Sequence, residues 1–132
     1  MCLKHDSRRT KNYKRRKTPI IAYKVCKLFK DKLYAPYRDE LIYIDPNTLE
    51  YSTKSSINAK KDRYGYWDEG IHAFLGQQDA MNLIGEDSVF SQFITRSAQI
   101  FKVKIYPEDV LGVGKHGDIV AKRIYFDKKE VE

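Results

Sequence analysis

The stretch "GIHAFLGQQDA" contains the one histidine in the middle of the chain, His72. Imidazole titrates near neutral pH, so a histidine is a common general acid or base when a second group orients it. The candidate partners in the sequence are Tyr23, Asp68 and Glu69. In the strand-like "IHAF", however, His72 shares a face with Phe74, and a histidine there usually hydrogen-bonds a neighbouring group. We therefore favour a structural role for His72 and keep it as the weak candidate for catalysis.

Other residues that could bind a metal or attack a substrate are few. A protein metal site needs three or four converging ligands, and the candidates are Cys2, His5, Cys26, His72 and His116. Only Cys2 and His5 are close in sequence, and no second pair accompanies them. Cys26 lies within an apolar run, which is typical of a small buried thiol. The sequence thus predicts no metal site, no cofactor and no nucleophilic cysteine.

The glycine-rich stretch "GVGKHGD", residues 112–118, could be taken for a phosphate-binding loop. A P-loop requires Ser or Thr after its lysine, but Lys115 is followed by His116. A dinucleotide-binding loop opens a helix whose N-terminus faces the phosphates, whereas a strand pattern follows here. We therefore predict a hairpin turn.

The charge is concentrated at the N-terminus. Residues 1–18 carry eight basic side chains and one acidic side chain, and residues 19–132 carry 17 of each, so the net charge of +7 belongs to the arm. Such a segment buries too little apolar surface to offset its ordering entropy, so we expect a disordered basic arm over residues 1–18. Its expected partner is nucleic acid or another polyanion, such as an acidic protein surface. The candidate binding residues are Lys4, Arg8, Arg9, Lys11, Lys14, Arg15, Arg16 and Lys17.

The rest of the chain, residues 19–127, reads as a single domain, followed by a polar tail over 128–132. Strand patterns rich in β-branched and aromatic residues cover 20–29, 33–37, 40–44, 49–53, 71–74, 99–106 and 119–126. "DPNT", residues 45–48, has the residue types of a β-turn. Helical spacing predicts one short helix over 77–84 and another beginning at Asp87 or Ser88. This pattern predicts an α+β fold with a mostly antiparallel sheet and two short helices in the middle of the chain.

Residues 54–70 are polar and aperiodic, and we expect a long loop there. Its "YGYW" places Tyr64, Tyr66 and Trp67 together. Exposed aromatic residues give a large contact area at low entropic cost. These three residues are therefore candidates for binding a partner.

Several segments together resemble small uncharacterised proteins of bacteriophages, prophages and gut bacteria. They are the Met-Cys-Leu start, "AYKVCKL", "APY", "GIHAF" and "IFKVKIYPEDVLGVGKHGDIVAKRI". The resemblance implies origin in a phage or mobile element, and it implies no particular chemistry.

These observations predict a small binding protein of the cytoplasm that contacts a macromolecular partner. The absence of an apolar run long enough to span a bilayer argues against a membrane protein, and two cysteines suit a reducing compartment. The enzyme alternative is a small protein that acts on a nucleotide with His72 at its site. "YSTKSS", residues 51–56, with Glu130 and Glu132 resembles elements of ADP-ribosyltransferases, although the strand over 20–29 lacks the arginine of that family. A third alternative is a virion or assembly component.

Overall fold

The computed structural model describes residues 3–4, 6–29, 32–34, 41–61, 66–67, 69–85 and 98–127. Its strands are β1 (Leu3–Lys4), β2 (Ile20–Phe29), β3 (Lys32–Tyr34), β4 (Glu50–Ser52), β5 (Tyr66–Trp67), β6 (Ile71–Phe74), β7 (Ala98–Ile105), β8 (Val110–Val113), β9 (Asp118–Ala121) and β10 (Arg123–Phe126). Its helices are α1 (Ser7–Lys14), α2 (Lys54–Ile57) and α3 (Gln77–Gly85), and a 3-10 turn spans Pro107–Asp109. No helix within these ranges has the length and apolar character needed to cross a membrane.

An antiparallel sheet of eight strands forms the body of the protein, in the order β4-β10-β7-β2-β6-β9-β8 with β3 also paired to β2. The long strand β2 pairs with β7 from Ile20 to Lys27, while β3 and β6 share its other edge. The fold class predicted from the sequence, α+β with a mostly antiparallel sheet, is therefore confirmed.

The sheet must curl strongly, because Lys122 alone separates β9 from β10 although three strands lie between them in the sheet order. One residue spans only about 3.8 Å from one Cα to the next. The corner is held by the amide of Lys122, which donates to the Asp109 carbonyl at 2.8 Å. Among the described residues, the largest buried cluster is enclosed by the curled sheet and is called the main core. It contains Ile20, Ala22, Cys26, Ile71, Ala73, Phe101, Val103, Ile105, Val110, Val113, Ile119, Ala121, Ile124 and Phe126, together with Ile42 and Tyr51.

Local sequence signals account for several elements. On β7, Phe101, Val103 and Ile105 are buried while Lys102 and Lys104 are exposed, as the alternation predicts. The helix expected over 77–84 is present as α3. In the predicted turn over 45–48, the Asn47 amide donates to the Asp45 carboxylate at 2.8 Å. The hairpin turn expected within "GVGKHGD" joins β8 to β9, and its Gly117 has a φ of 83°.

Other segments differ from expectation. The strand expected over 119–126 is divided into β9 and β10, which lie in separate parts of the sheet. Residues 54–70 contain α2 and β5 as well as loop. Helix α2 begins at a capping box, in which the Thr53 hydroxyl accepts from the Ser56 amide at 2.9 Å and the Ser56 hydroxyl accepts from the Thr53 amide at 2.8 Å. The second predicted helix, from Asp87 or Ser88, lies outside the described residues.

Candidate nucleic-acid interface

Helix α1 lies within the arm that was expected to be disordered. Asp6 caps its N-terminus, since the Asp6 carboxylate accepts from the Arg9 amide at 3.1 Å. Lys11 and Lys14 lie in the last turn, where cations interact favourably with the negative end of the helix dipole. These local features favour a helix, but eight residues are too few for one to be stable by itself in water.

Contacts with strand β8 provide the missing stabilisation. The Thr10 hydroxyl donates to the Asp6 carbonyl at 2.7 Å and accepts from the Val113 amide at 2.9 Å. The Asp6 amide donates to the Val113 carbonyl at 2.9 Å. Thr10 is buried, with 5% of its surface exposed, and Tyr13 packs against the main core. The arm is therefore attached to the sheet edge by backbone and side-chain contacts, which its charge pattern does not reveal.

This packing leaves most of the cationic side chains of the arm exposed. We define the basic surface as the six exposed cationic residues of α1 and the segment that follows it: Arg8, Lys11, Lys14, Arg15, Arg16 and Lys17. The Arg16 guanidinium lies 4.1 Å from the centre of the Tyr13 ring, a cation–π contact that leaves its charge available. The single acidic residue of the arm, Asp6, is occupied by the helix cap.

The predicted arm residues are not equivalent in the structure. Arg9 is half-buried, and its Nη1 donates to the Lys115 carbonyl at 3.1 Å. That contact brings the turn between β8 and β9 beside α1, and Lys115 and His116 are exposed there. Sequence reasoning missed this pairing because the two residues are 106 positions apart. Lys4 belongs to β1, and only its backbone is described.

Two of the three aromatic candidates, Tyr66 and Trp67, pair with the arm through their backbone. Strand β5 pairs with β1, so that Trp67 is opposite Leu3 and Tyr66 is opposite Lys4. Tyr64 lies outside the described residues. Two segments that the sequence marks separately as binding candidates are thus joined by a short ladder.

His72 lies on β6, opposite Val120 of β9. Both of its ring nitrogens are shielded from solvent, and its backbone carbonyl accepts from the Lys24 Nζ at 2.8 Å. Of the partners suggested by the sequence, Tyr23 is paired with Phe74 on the neighbouring strand, Glu69 is exposed, and Asp68 lies outside the described residues. The structural interpretation of His72 stays a prediction.

Strand β2 contains a buried amine beside a buried thiol. Lys24 and Cys26 lie on the core-facing side with Ala22, and burial lowers the pKa of Lys24 while Cys26 opposes that effect. Burial raises the pKa of the Cys26 thiol to about 12, although Lys24 acts to lower it. The thiol is therefore protonated at neutral pH, and a protonated thiol is a poor nucleophile. No group of three or more metal-binding side chains occurs among the residues that the structure describes, and Cys2 and His5 are not among them.

A polar cluster joins the 3-10 turn to β4 and β10. Arg123 pairs with Asp109 at 3.1 Å and with Glu50 at 3.3 Å, and the Tyr125 hydroxyl lies 3.4 Å from the same Glu50 oxygen. Burial raises the pKa of Asp109 above its ordinary value, and the positive charge of Arg123 opposes part of that rise. These contacts hold the corner at Lys122, so the cluster has a structural use.

The stretch resembling an ADP-ribosyltransferase element also has a structural use. Ser56 is fully buried, and its hydroxyl donates to the Lys122 carbonyl at 2.7 Å. Glu130 and Glu132, the other part of that resemblance, lie outside the described residues.

Comparison of the chain with protein-family models, with curated proteins and with solved structures gives no match. Function must therefore be argued from the residues of this chain.

Proposed function

We propose that the protein binds nucleic acid through the basic surface. The observation that carries the proposal is the docking of α1, which holds Thr10 against Val113 and leaves six cationic side chains exposed. A surface that is ordered before binding loses less entropy when it meets its partner. Since residues 19–132 have no net charge, this surface is also where a polyanion would be attracted.

Contacts of this kind are made to the phosphate backbone. Arginine and lysine neutralise phosphates and release condensed counterions, so affinity depends on salt and little on base sequence. If five of the six cations contact phosphates of duplex DNA, the slope of log affinity against log salt is about −4.5, at about −0.9 for each contact. This binding would take place in the cytoplasm, and in the cytoplasm of a host cell if a phage encodes the protein.

The experiment measures fluorescence anisotropy of a 20-base-pair duplex across a series of salt concentrations. The variant carries Lys11→Gln, Lys14→Gln and Lys17→Gln. The matched control carries Lys32→Gln, Lys54→Gln and Lys60→Gln, which removes three exposed cations elsewhere on the protein. The proposal expects the variant to weaken binding and to flatten the salt slope by about 2.7, because three phosphate contacts are lost.

The control should bind like the wild-type protein. Equal loss in the two triple variants would mean that overall charge alone attracts the DNA. Binding that does not respond to salt would contradict the phosphate contacts themselves.

A further inference from the structure

A groove of about 330 Å³ lies on the outer face of the sheet. It runs over β7 and β10 and is bounded on one side by the turn before β4. Register places Ile21, Lys104 and Tyr125 in one row across three strands, and Lys102 lies two residues along β7 on the same face. The groove therefore combines exposed amines with aromatic and aliphatic surface.

Two tyrosines form one end of the groove. The rings of Tyr106 and Tyr125 meet edge to face, with their centres 5.2 Å apart and an angle of 84° between their planes. The Tyr125 hydroxyl is 3.4 Å from the Glu50 carboxylate, which restrains that ring. A restrained aromatic pair can receive a planar ligand with little loss of side-chain entropy.

The wall opposite β7 contains a strained residue. Leu49 has a φ of 64°, a left-handed conformation that glycine or asparagine adopts more easily. The backbone holds it there, since the Leu49 amide donates to the Asp45 carbonyl at 2.7 Å and its carbonyl accepts from the Phe126 amide at 2.9 Å. A leucine at this position places an aliphatic side chain at the groove, and strain of this kind is concentrated at ligand sites.

The charge of the groove suits one phosphodiester. Lys102 and Lys104 contribute two positive charges to the lining and Asp127 contributes one negative charge. A lining with a net charge of +1 complements the single negative charge of a nucleotide within a chain, and it suits a free nucleoside triphosphate less well.

We propose that this groove binds a nucleotide unit of single-stranded nucleic acid, with the base on Tyr106 and its one phosphodiester on Lys102 and Lys104. Proteins that bind single strands combine a positively charged groove with aromatic side chains on which bases stack. The bases of a duplex are already stacked within the helix, so duplex DNA cannot use the groove in this way. This inference rests on the proposed function, since it specifies which form of nucleic acid this second surface selects.

The test compares a fluorescein-labelled 12-residue oligothymidylate with the 20-base-pair duplex, by anisotropy at one fixed salt concentration. Tyr106→Leu removes the aromatic ring, and Tyr106→Phe retains it. Lys104→Gln removes an exposed amine from the groove, and Lys60→Gln removes one outside it. Thermal unfolding of each variant shows whether it is folded.

Tyr106→Leu should lower the affinity for the single strand roughly tenfold, because a stacked base contributes on that order. Tyr106→Phe should bind like the wild-type protein. Lys104→Gln should lower the affinity for the single strand more than Lys60→Gln does. None of the four variants should change the affinity for the duplex by more than about twofold.

Two results would overturn the inference while leaving the proposed function in place. In one, folded Tyr106→Leu and Lys104→Gln proteins bind the single strand with wild-type affinity. In the other, the two variants lose affinity for the single strand and for the duplex to the same extent. A wild-type protein that binds neither probe would overturn both proposals. Loss of single-strand binding in the groove variants, with wild-type duplex binding by the protein carrying Lys11→Gln, Lys14→Gln and Lys17→Gln, would overturn only the use of the basic surface.

Discussion

Lysine side chains are exposed to solvent on the basic surface, whereas Lys24 is buried in strand β2. On the basic surface, Lys11, Lys14 and Lys17 are exposed to solvent on an element whose attachment depends on Thr10 and Tyr13. In β2, Lys24 is 5% exposed within an apolar strand, and its amine donates to the His72 carbonyl. The first arrangement leaves charge available to a partner, whereas the second removes it from solvent.

The difference shows that charge does not by itself predict whether a segment is ordered. The N-terminal arm carries eight cations and yet contains a helix, which is docked through the buried Thr10 hydroxyl, the Asp6 amide and the packed Tyr13 ring. Strand β2 is mostly apolar, and yet it contains Lys24, whose burial lowers the pKa of its amine. In both cases a polar contact joins residues that are far apart in the sequence, Thr10 with Val113 and Lys24 with His72.

Removing residues 1–18 should produce the largest effect on stability. The deletion removes the Thr10 hydrogen bonds, the packing of Tyr13 and the pairing of β1, so we expect the unfolding free energy to fall by on the order of 3 kcal/mol. Urea denaturation measures this change. The full-length Lys11→Gln, Lys14→Gln, Lys17→Gln protein serves as the control and should lose no more than about 1 kcal/mol, because it loses only the favourable interactions of Lys11 and Lys14 with the helix dipole. Unchanged stability after the deletion would support the disordered arm that the charge pattern suggests.

Lys24→Met should change how stability depends on pH. The pKa of Lys24 is lowered in the folded protein and is near 10.5 in the unfolded chain. Between these two values the unfolded state binds more protons at Lys24, so the Lys24 contribution to the stability of the wild-type protein should rise with pH across that window. The rise amounts to about 1.4 kcal/mol for each pH unit by which folding lowers the pKa.

Urea denaturation at a series of pH values measures this difference. The Lys24→Met protein should lack this rise, and Lys60→Met, at an exposed position, should retain it. Parallel pH profiles for wild type and Lys24→Met would show that the amine keeps its ordinary pKa in the folded protein.

Thr10→Val should produce the smallest of the three changes. Valine has nearly the same shape as threonine, but it leaves the buried Val113 amide without its acceptor. An unsatisfied buried donor costs about 1–3 kcal/mol. Thr10→Ser retains the hydroxyl and should lose less stability, which thermal unfolding of the two variants would show. A Thr10→Val protein as stable as Thr10→Ser would mean that packing of the methyl group, and not the hydrogen bond, attaches the helix.

The sequence by itself determined the features that depend on neighbouring residues. The turn at Asp45, the alternation on β7 and the turn containing Gly117 each follow from side chains a few positions apart, and each is present in the structure. The antiparallel α+β class follows from the sum of such signals. The concentration of positive charge in residues 1–18 is likewise a property of the sequence alone.

Only the tertiary structure decided where these elements meet. The partner of Thr10 is Val113, 103 residues away, so no local pattern could indicate that the arm is ordered. The groove is equally hidden from the sequence, because Tyr106 and Tyr125 meet only through the pairing of β7 with β10, and Leu49 is held beside β10 by the hydrogen bond from the Phe126 amide. The physical reason is the same in both cases: a site made by contacts between distant segments exists only after the sheet has curled and brought those segments together.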